Sequence, residues 1–209
     1  MLAFLAGSVN VIGLLGFSHQ AVSHLSGTLS LFALEMVGLN TGQATHVFFI
    51  LVSFLAGATL SGVFIENASL ELRRRYGFAL VVEALLLCLA MLALQQGSSF
   101  GHYFASMACG LQNAMVSTYS GAIVRTTHVT GLFTDLGIMI GSRLRGAEFD
   151  RRKAVLFLTL IAGFTCGGMA GALGYRWYAF SALLMPAGIA LSLALAYWLY
   201  LYTLARRNP

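Results

Sequence analysis

The sequence predicts an all-α integral membrane protein of two inverted-topology repeats. Each repeat is expected to hold three spanning helices plus a re-entrant strand/half-helix segment. Three observations carry this: scarce charge, an internal repeat, and basic clusters that change place between the halves. Of 209 residues, 58% are hydrophobic and 9% charged, where a soluble domain carries roughly 25% charge. Mean hydropathy is +0.82. Four apolar runs approach or exceed the ~18 residues that mark a spanning helix. They are "VFFILVSFLAGATLSGVFI" (47–65), "GFALVVEALLLCLAMLAL" (77–94), "AVLFLTLIAGFTCGGMAGAL" (154–173) and "WYAFSALLMPAGIALSLALAYWLYLYTLA" (177–205).

The net charge of +5 comes from short basic clusters between apolar runs. That is the pattern of cytoplasmic loops and not of a nucleic-acid surface. No charged region precedes the first apolar stretch, so a cleaved signal peptide is not expected. Cys88, Cys109 and Cys166 all lie in apolar segments and read as small buried hydrophobes, with no disulfide framework, metal site or cofactor implied.

Three blocks recur in one order, about 105 residues apart. "AGSVNVIG" (6–13) matches "CGLQNAMV" (109–116), pairing Gly7 with Gly110 and Asn10 with Asn113. "SHLSGTLSLF" (23–32) matches "THVTGLFTDL" (127–136), pairing His24 with His128, Ser26 with Thr130 and Gly27 with Gly131. "FLAGATLSG" (54–62) matches "LIAGFTCGG" (160–168), pairing Gly57 with Gly163. The repeats are assigned to 1–98 and 99–209, together one transmembrane domain.

The halves differ in charge placement. Arg73, Arg74 and Arg75 lie between the last two apolar runs of the first half. In the second, Arg143, Arg145, Arg151, Arg152 and Lys153 precede the last two runs, Arg206 and Arg207 follow them, and Arg176 alone lies between. Basic loops stay cytoplasmic, so the halves should sit oppositely, with both termini cytoplasmic. Inversion needs an odd number of crossings per half. Residues 1–40 and 103–142 must then each make one net crossing, though a helix of ~36 residues would run ~54 Å against a core of ~30 Å. One full helix followed by a re-entrant segment satisfies this. The polar "SHQAVSHLSG" and "RTTHVTG" would enter extended and return as half-helices of ~11 residues. In the rival arrangement both segments span fully, as four plus four parallel helices.

A helix start leaves N–H groups unpaired and carries partial positive charge. Ser26 and Thr130 are expected N-caps; Gly27 and Gly131 let another group come close. Two such starts facing one another would bind a small polar, anionic solute. Arg125 would strengthen the site, unless it snorkels to the interface. His24 and His128 could donate hydrogen bonds or only satisfy local backbone; Thr28 and Thr127 stand beside them. Asn10, Gln112 and Asn113, within apolar helices, could contact solute or join helices. Glu35, Glu83 and Asp135 fall at membrane depth, where ionisable groups are costly. Asp135 could pair with Arg125, bind a cation or carry a proton. Glu83 could reach back to the Arg73–Arg75 cluster.

The motifs "GLQNAMV" and "VRTTHVTGLFTDLG", with "AGSVNVIGLLGF", "VSHLSGTLSLFALE" and "FLAGATLSG", resemble the YoaK-type family of small bacterial inner-membrane proteins of unknown function. The resemblance covers nearly the whole chain. It implies a multi-pass protein of the bacterial inner membrane and no defined reaction. Asn10 departs from the family pattern, where an acid is usual, and Ser26 and Thr28 depart from the Thr-Gly-Asn that is usual where Ser26, Gly27 and Thr28 stand.

The leading expectation is a non-enzymatic transporter or channel, partnered by the lipid bilayer and a small polar solute or ion. A homodimer is expected from the small size, with "CGGMAGALG" offering a close helix contact. The alternatives are a non-catalytic regulatory subunit, or an intramembrane enzyme using His128 and Asp135. No nucleophile motif or phosphate loop supports the last.

Overall fold

The computed structural model describes residues 1–16, 23–65, 72–119 and 126–207. Among them are eight α-helices, one 3-10 turn and no strand. The helices are α1 (Leu2–Gly16), α2 (Leu25–Val37), α3 (Thr41–Phe64), α4 (Leu72–Gln95), α5 (Phe100–Tyr119), α6 (Val129–Leu144), α7 (Arg151–Tyr178) and α8 (Leu184–Arg207). Three apolar helical stretches are long enough to cross a bilayer: Thr41–Phe64, Arg75–Gln95 and Arg151–Leu204. The last has 54 residues and would measure ~81 Å if straight. It breaks at Ala179, whose φ of 47° is strained for a residue with a Cβ, and a 3-10 turn over Ala179–Leu183 leads into α8.

Helix starts follow local chemistry. The Asn40 side chain accepts from the Gln43 N–H at 3.4 Å to open α3. Asp150 accepts from the Lys153 N–H at 3.0 Å to open α7. Inside the apolar helices, Thr45, Thr59 and Thr159 donate their hydroxyls one turn back, to the carbonyls of Thr41, Leu55 and Val155. Each hydroxyl thus brings its own partner to a place without water.

The two halves interleave. α5 lies beside α3 and runs parallel to it: His102 Nδ1 is 2.9 Å from His46 Nε2, and the Ser106 hydroxyl donates to the Ile50 carbonyl at 2.9 Å. α1 lies parallel to α7 in the same way, with Phe4 against Gly167, Ser8 against Gly171 and Gly16 against Tyr175. α4 and α8 are antiparallel. The Tyr76 and Tyr197 rings sit 5.4 Å apart at one end, and Gln95 donates to the Ser181 hydroxyl at 2.9 Å at the other. α4 and α5 form a hairpin, Gly101 resting on Leu94. α1 is antiparallel to α5: Gln112 reaches the Leu2 carbonyl at 3.3 Å, while Gly16 meets Phe180, in the turn that holds Gln95.

Glycines set these distances. A Cβ on Gly7 would overlap the Phe164 carbonyl, and one on Gly110 the Phe54 carbonyl. A Cβ on Gly57 would overlap the Met107 carbonyl, and one on Gly167 the Phe4 carbonyl. The same contact is thus made twice, and it pairs Gly57 with Gly167. The sequence alignment pairs Gly57 with Gly163, one turn earlier. Glycines recur at nearly one-turn spacing on this helix, so the string alone admits either register. Gly167 and Gly171, expected either to pack the two halves together or to join protomers, pack α7 onto α1 within the chain.

The core is rich in alanine. Leu5, Val9 and Ile12 of α1 share one cluster with Ala84, Leu87 and Ala90 of α4, Ala105 and Ala108 of α5, and Ala187 and Ala190 of α8. Large side chains such as Leu55, Val63, Leu158 and Leu195 point outward, as on a surface that lipid covers.

Two local expectations change. The helices at the places expected for half-helices, α2 and α6, have 13 and 16 residues, longer than the ~11 expected from half the core's thickness. Their N-caps are His24 and His128, and not Ser26 and Thr130, which lie in the first turn. Of the segments expected to enter extended, residues 18–22 and Arg125 lie outside the described residues; Leu25–Gly27 and Val129–Gly131 are instead the first turns of α2 and α6.

Candidate functional site

The starts of α2 and α6 open into one cavity of about 390 Å³. Ser23, His24, Leu25 and Ser26 line it from the first half-helix, and Thr127, His128 and Thr130 from the second. Phe54 of α3 and Asn113 of α5 complete the wall, both near the middle of their helices. The cavity therefore sits at mid-depth of the bundle. α2 leads from it to the start of α3, with Phe32 and Phe48 in ring contact at 6.0 Å. α6 leads from it to the start of α7.

Each histidine shapes its helix start. His24 Nδ1 accepts from the Gly27 N–H at 3.3 Å. His128 makes no capping bond, although a Cβ on Gly131 would collide with its ring. Gly27 and Gly131 thus make room for the histidine of their own turn. The first N–H groups of a helix have no acceptor within it. With no side-chain cap on α6, those of Val129, Thr130 and Gly131 are available to a ligand. His24→Ala should cost about 1 kcal/mol of stability and His128→Ala less, measured by thermal unfolding in detergent.

The helix amides divide between structure and site. Asn10 accepts from the Ser23 hydroxyl, and Gln112 accepts from the Thr126 hydroxyl at 3.4 Å. These bonds hold the segments just before α2 and α6 against the first helix of each half. Asn113 Oδ1 is enclosed and has no hydrogen-bond partner among the described residues. Thr28 is buried, and its hydroxyl donates to the His24 carbonyl at 3.1 Å.

Of the residues expected to bind solute, His24, Ser26, Asn113, Thr127, His128 and Thr130 line the cavity. Asn10, Gln112, Thr28, Gly27 and Gly131 support it from behind. Asp135 lies exposed on α6 and is not part of the wall. Arg125 lies outside the described residues. Phe54 was missed, because an aromatic in an apolar run carries no signal of its own.

A second polar cluster was also missed. Tyr103 Oη lies 2.9 Å from His46 Nδ1, and His46 in turn meets His102. Its two sources, "ATHVF" and "GHYF", are far apart in sequence, and only the parallel pairing of α3 and α5 joins them. No group of three or more His, Cys, Asp or Glu is placed to hold a metal ion among the described residues.

No match is found among curated proteins or among solved structures. One family model, described as "Protein of unknown function (DUF1275)", matches residues 1–196. That match spans nearly the whole chain, both half-helices and the cavity between them, and the protein belongs to this family.

Proposed function

We propose that this protein is a small transporter or channel of the bacterial inner membrane, which binds a small polar anion between two half-helix N-termini near the bilayer midplane. The observation that carries the reading is the single cavity walled by the starts of both α2 and α6. Two positive helix ends converge there, α6 with no side-chain cap on its first N–H groups and α2 with one of its own held by His24. Among the described wall residues none is Asp, Glu, Lys or Arg, so no acid opposes the field of the helix ends. Hydroxyls and the Asn113 amide add hydrogen bonds.

An inverted repeat accounts for the helix directions. α1 runs against α5, α4 runs against α8, and α7, parallel to α1, runs against α3. The doubled glycine contacts support the same relation. These directions also bring the Arg75 end of α4, the Arg151–Lys153 start of α7 and the Arg206 end of α8 to one side, which the positive-inside rule makes cytoplasmic. The half-helices then enter from opposite sides.

Thermal unfolding against small anions, cations and neutral metabolites tests the binding claim. A ligand at ~100 times its Kd adds ~2.7 kcal/mol to stability. An anion that stabilises the wild type and not Thr130→Trp, which fills the cavity, is the expected result. Silence from every anion would overturn it. For topology, single cysteines are placed in a cysteine-free background and labelled with an impermeant reagent. Gly42→Cys and Ser98→Cys should label from outside, and Ala147→Cys only from inside. External labelling at 147 would sink the inverted arrangement.

A further inference from the structure

Glu83 has no part in the cavity and yet lies in the core of the bundle. It is 1% exposed, and its Oε2 is enclosed without a hydrogen-bond partner among the described residues. On α4 it falls in the inward row formed by Leu80, Ala84, Leu87 and Ala90, which turns it away from the surface. It stands at a seam. Below it, Ala79 and Leu80 belong to one apolar cluster with Leu111 and Met115 of α5 and Ala194 of α8. Above it, Ala84 and Leu87 belong to another, with Ala105, Ala108 and Cys109 of α5 and Ala187 and Ala190 of α8.

From these surroundings we infer that Glu83 is a proton-binding site, holding an exchangeable proton within the membrane. The titratable group facing it is the Cys109 thiol of α5; the buried α8 residues there are alanines. No cation among the buried residues offsets a carboxylate at this place. An ionised acid so enclosed is far costlier than the neutral acid. Release of the proton leaves the carboxylate and a free proton, and the nearest polar exit is along α5. One turn from Cys109 stands Asn113, whose amide faces the cavity. If the anion reading holds, an anion in the cavity makes the Glu83 proton harder to lose, and the proton in turn favours the anion. That coupling rests on the proposed function, whereas the proton site does not.

Infrared absorption of the purified protein in liposomes at pH 7 tests the proton site without any solute. A protonated carboxyl shows a C=O stretch distinct from that of carboxylates. The expected result is such a band in the wild type, shifted on exchange into D2O and lost in Glu83→Gln. In Glu83→Asp it should persist at a changed frequency, which keeps the test informative if Glu83→Gln does not fold. The inference is overturned by a wild type without the band, by a band that Glu83→Gln retains, or by one that never responds to D2O. The last result would make Glu83 a sealed structural acid.

Discussion

Gly167→Ala will destabilise the protein by about 3 kcal/mol or prevent its folding, while Gly163→Ala, one turn earlier on α7, will be neutral or slightly stabilising. The added methyl at 167 would overlap the backbone carbonyl of Phe4, and a carbonyl inside a helix cannot step aside. α1 and α7 would have to separate along their contact, losing dispersion over the whole interface. At 163 the nearest atom would be the Ala3 methyl carbon at 3.6 Å, an ordinary contact. There the substitution removes the helix-interior penalty of glycine, roughly 0.5–1 kcal/mol. Gly57→Ala should behave like Gly167→Ala, since it meets the Met107 carbonyl. Unfolding midpoints in detergent, read for the three variants together, decide the matter. Equal effects at 163 and 167 would show that the described α1–α7 register is wrong.

Asn113→Leu should raise stability by about 1 kcal/mol while weakening anion binding by ten-fold or more. The wild-type amide holds an enclosed oxygen with no partner among the described residues, and removing both the group and its desolvation cost is favourable. The same change removes a hydrogen-bonding group from the cavity wall, which a bound solute would miss. Asn10→Leu, at the matching place in the first repeat, should do the reverse in stability. It strands the Ser23 hydroxyl, which Asn10 now accepts, at a cost of about 1–3 kcal/mol. The test compares unfolding free energies and ligand-induced shifts for both variants. Destabilisation by Asn113→Leu would mean that its amide serves structure, and would remove it from the site.

These pairs mark how far the string was legible. His24 matched His128 and Asn10 matched Asn113 by letters alone, and the half-helices lie where the polar motifs interrupt the apolar runs. Hydropathy and charge act locally: a segment is too apolar for water, or a loop too basic to cross a membrane, whatever its neighbours. Function within a matched pair is not local. Asn10 accepts from Ser23, whereas in the second half Thr126 gives its hydroxyl to Gln112 and Asn113 finds no partner among the described residues. Nor could the string choose between Gly163 and Gly167, since a glycine-rich helix presents several equivalent faces one turn apart.

By itself, then, the sequence predicted the all-helical membrane class, and it singled out the polar segments that open α2 and α6. Periodicity, hydropathy and charge are written in the order of residues. Only the tertiary structure decided that the two halves interleave, that α2 and α6 both start at one cavity, and that Glu83 lies buried between α4, α5 and α8. Those facts depend on which carbonyl meets which glycine across distant helices, where a contact of one methyl group in size selects the register.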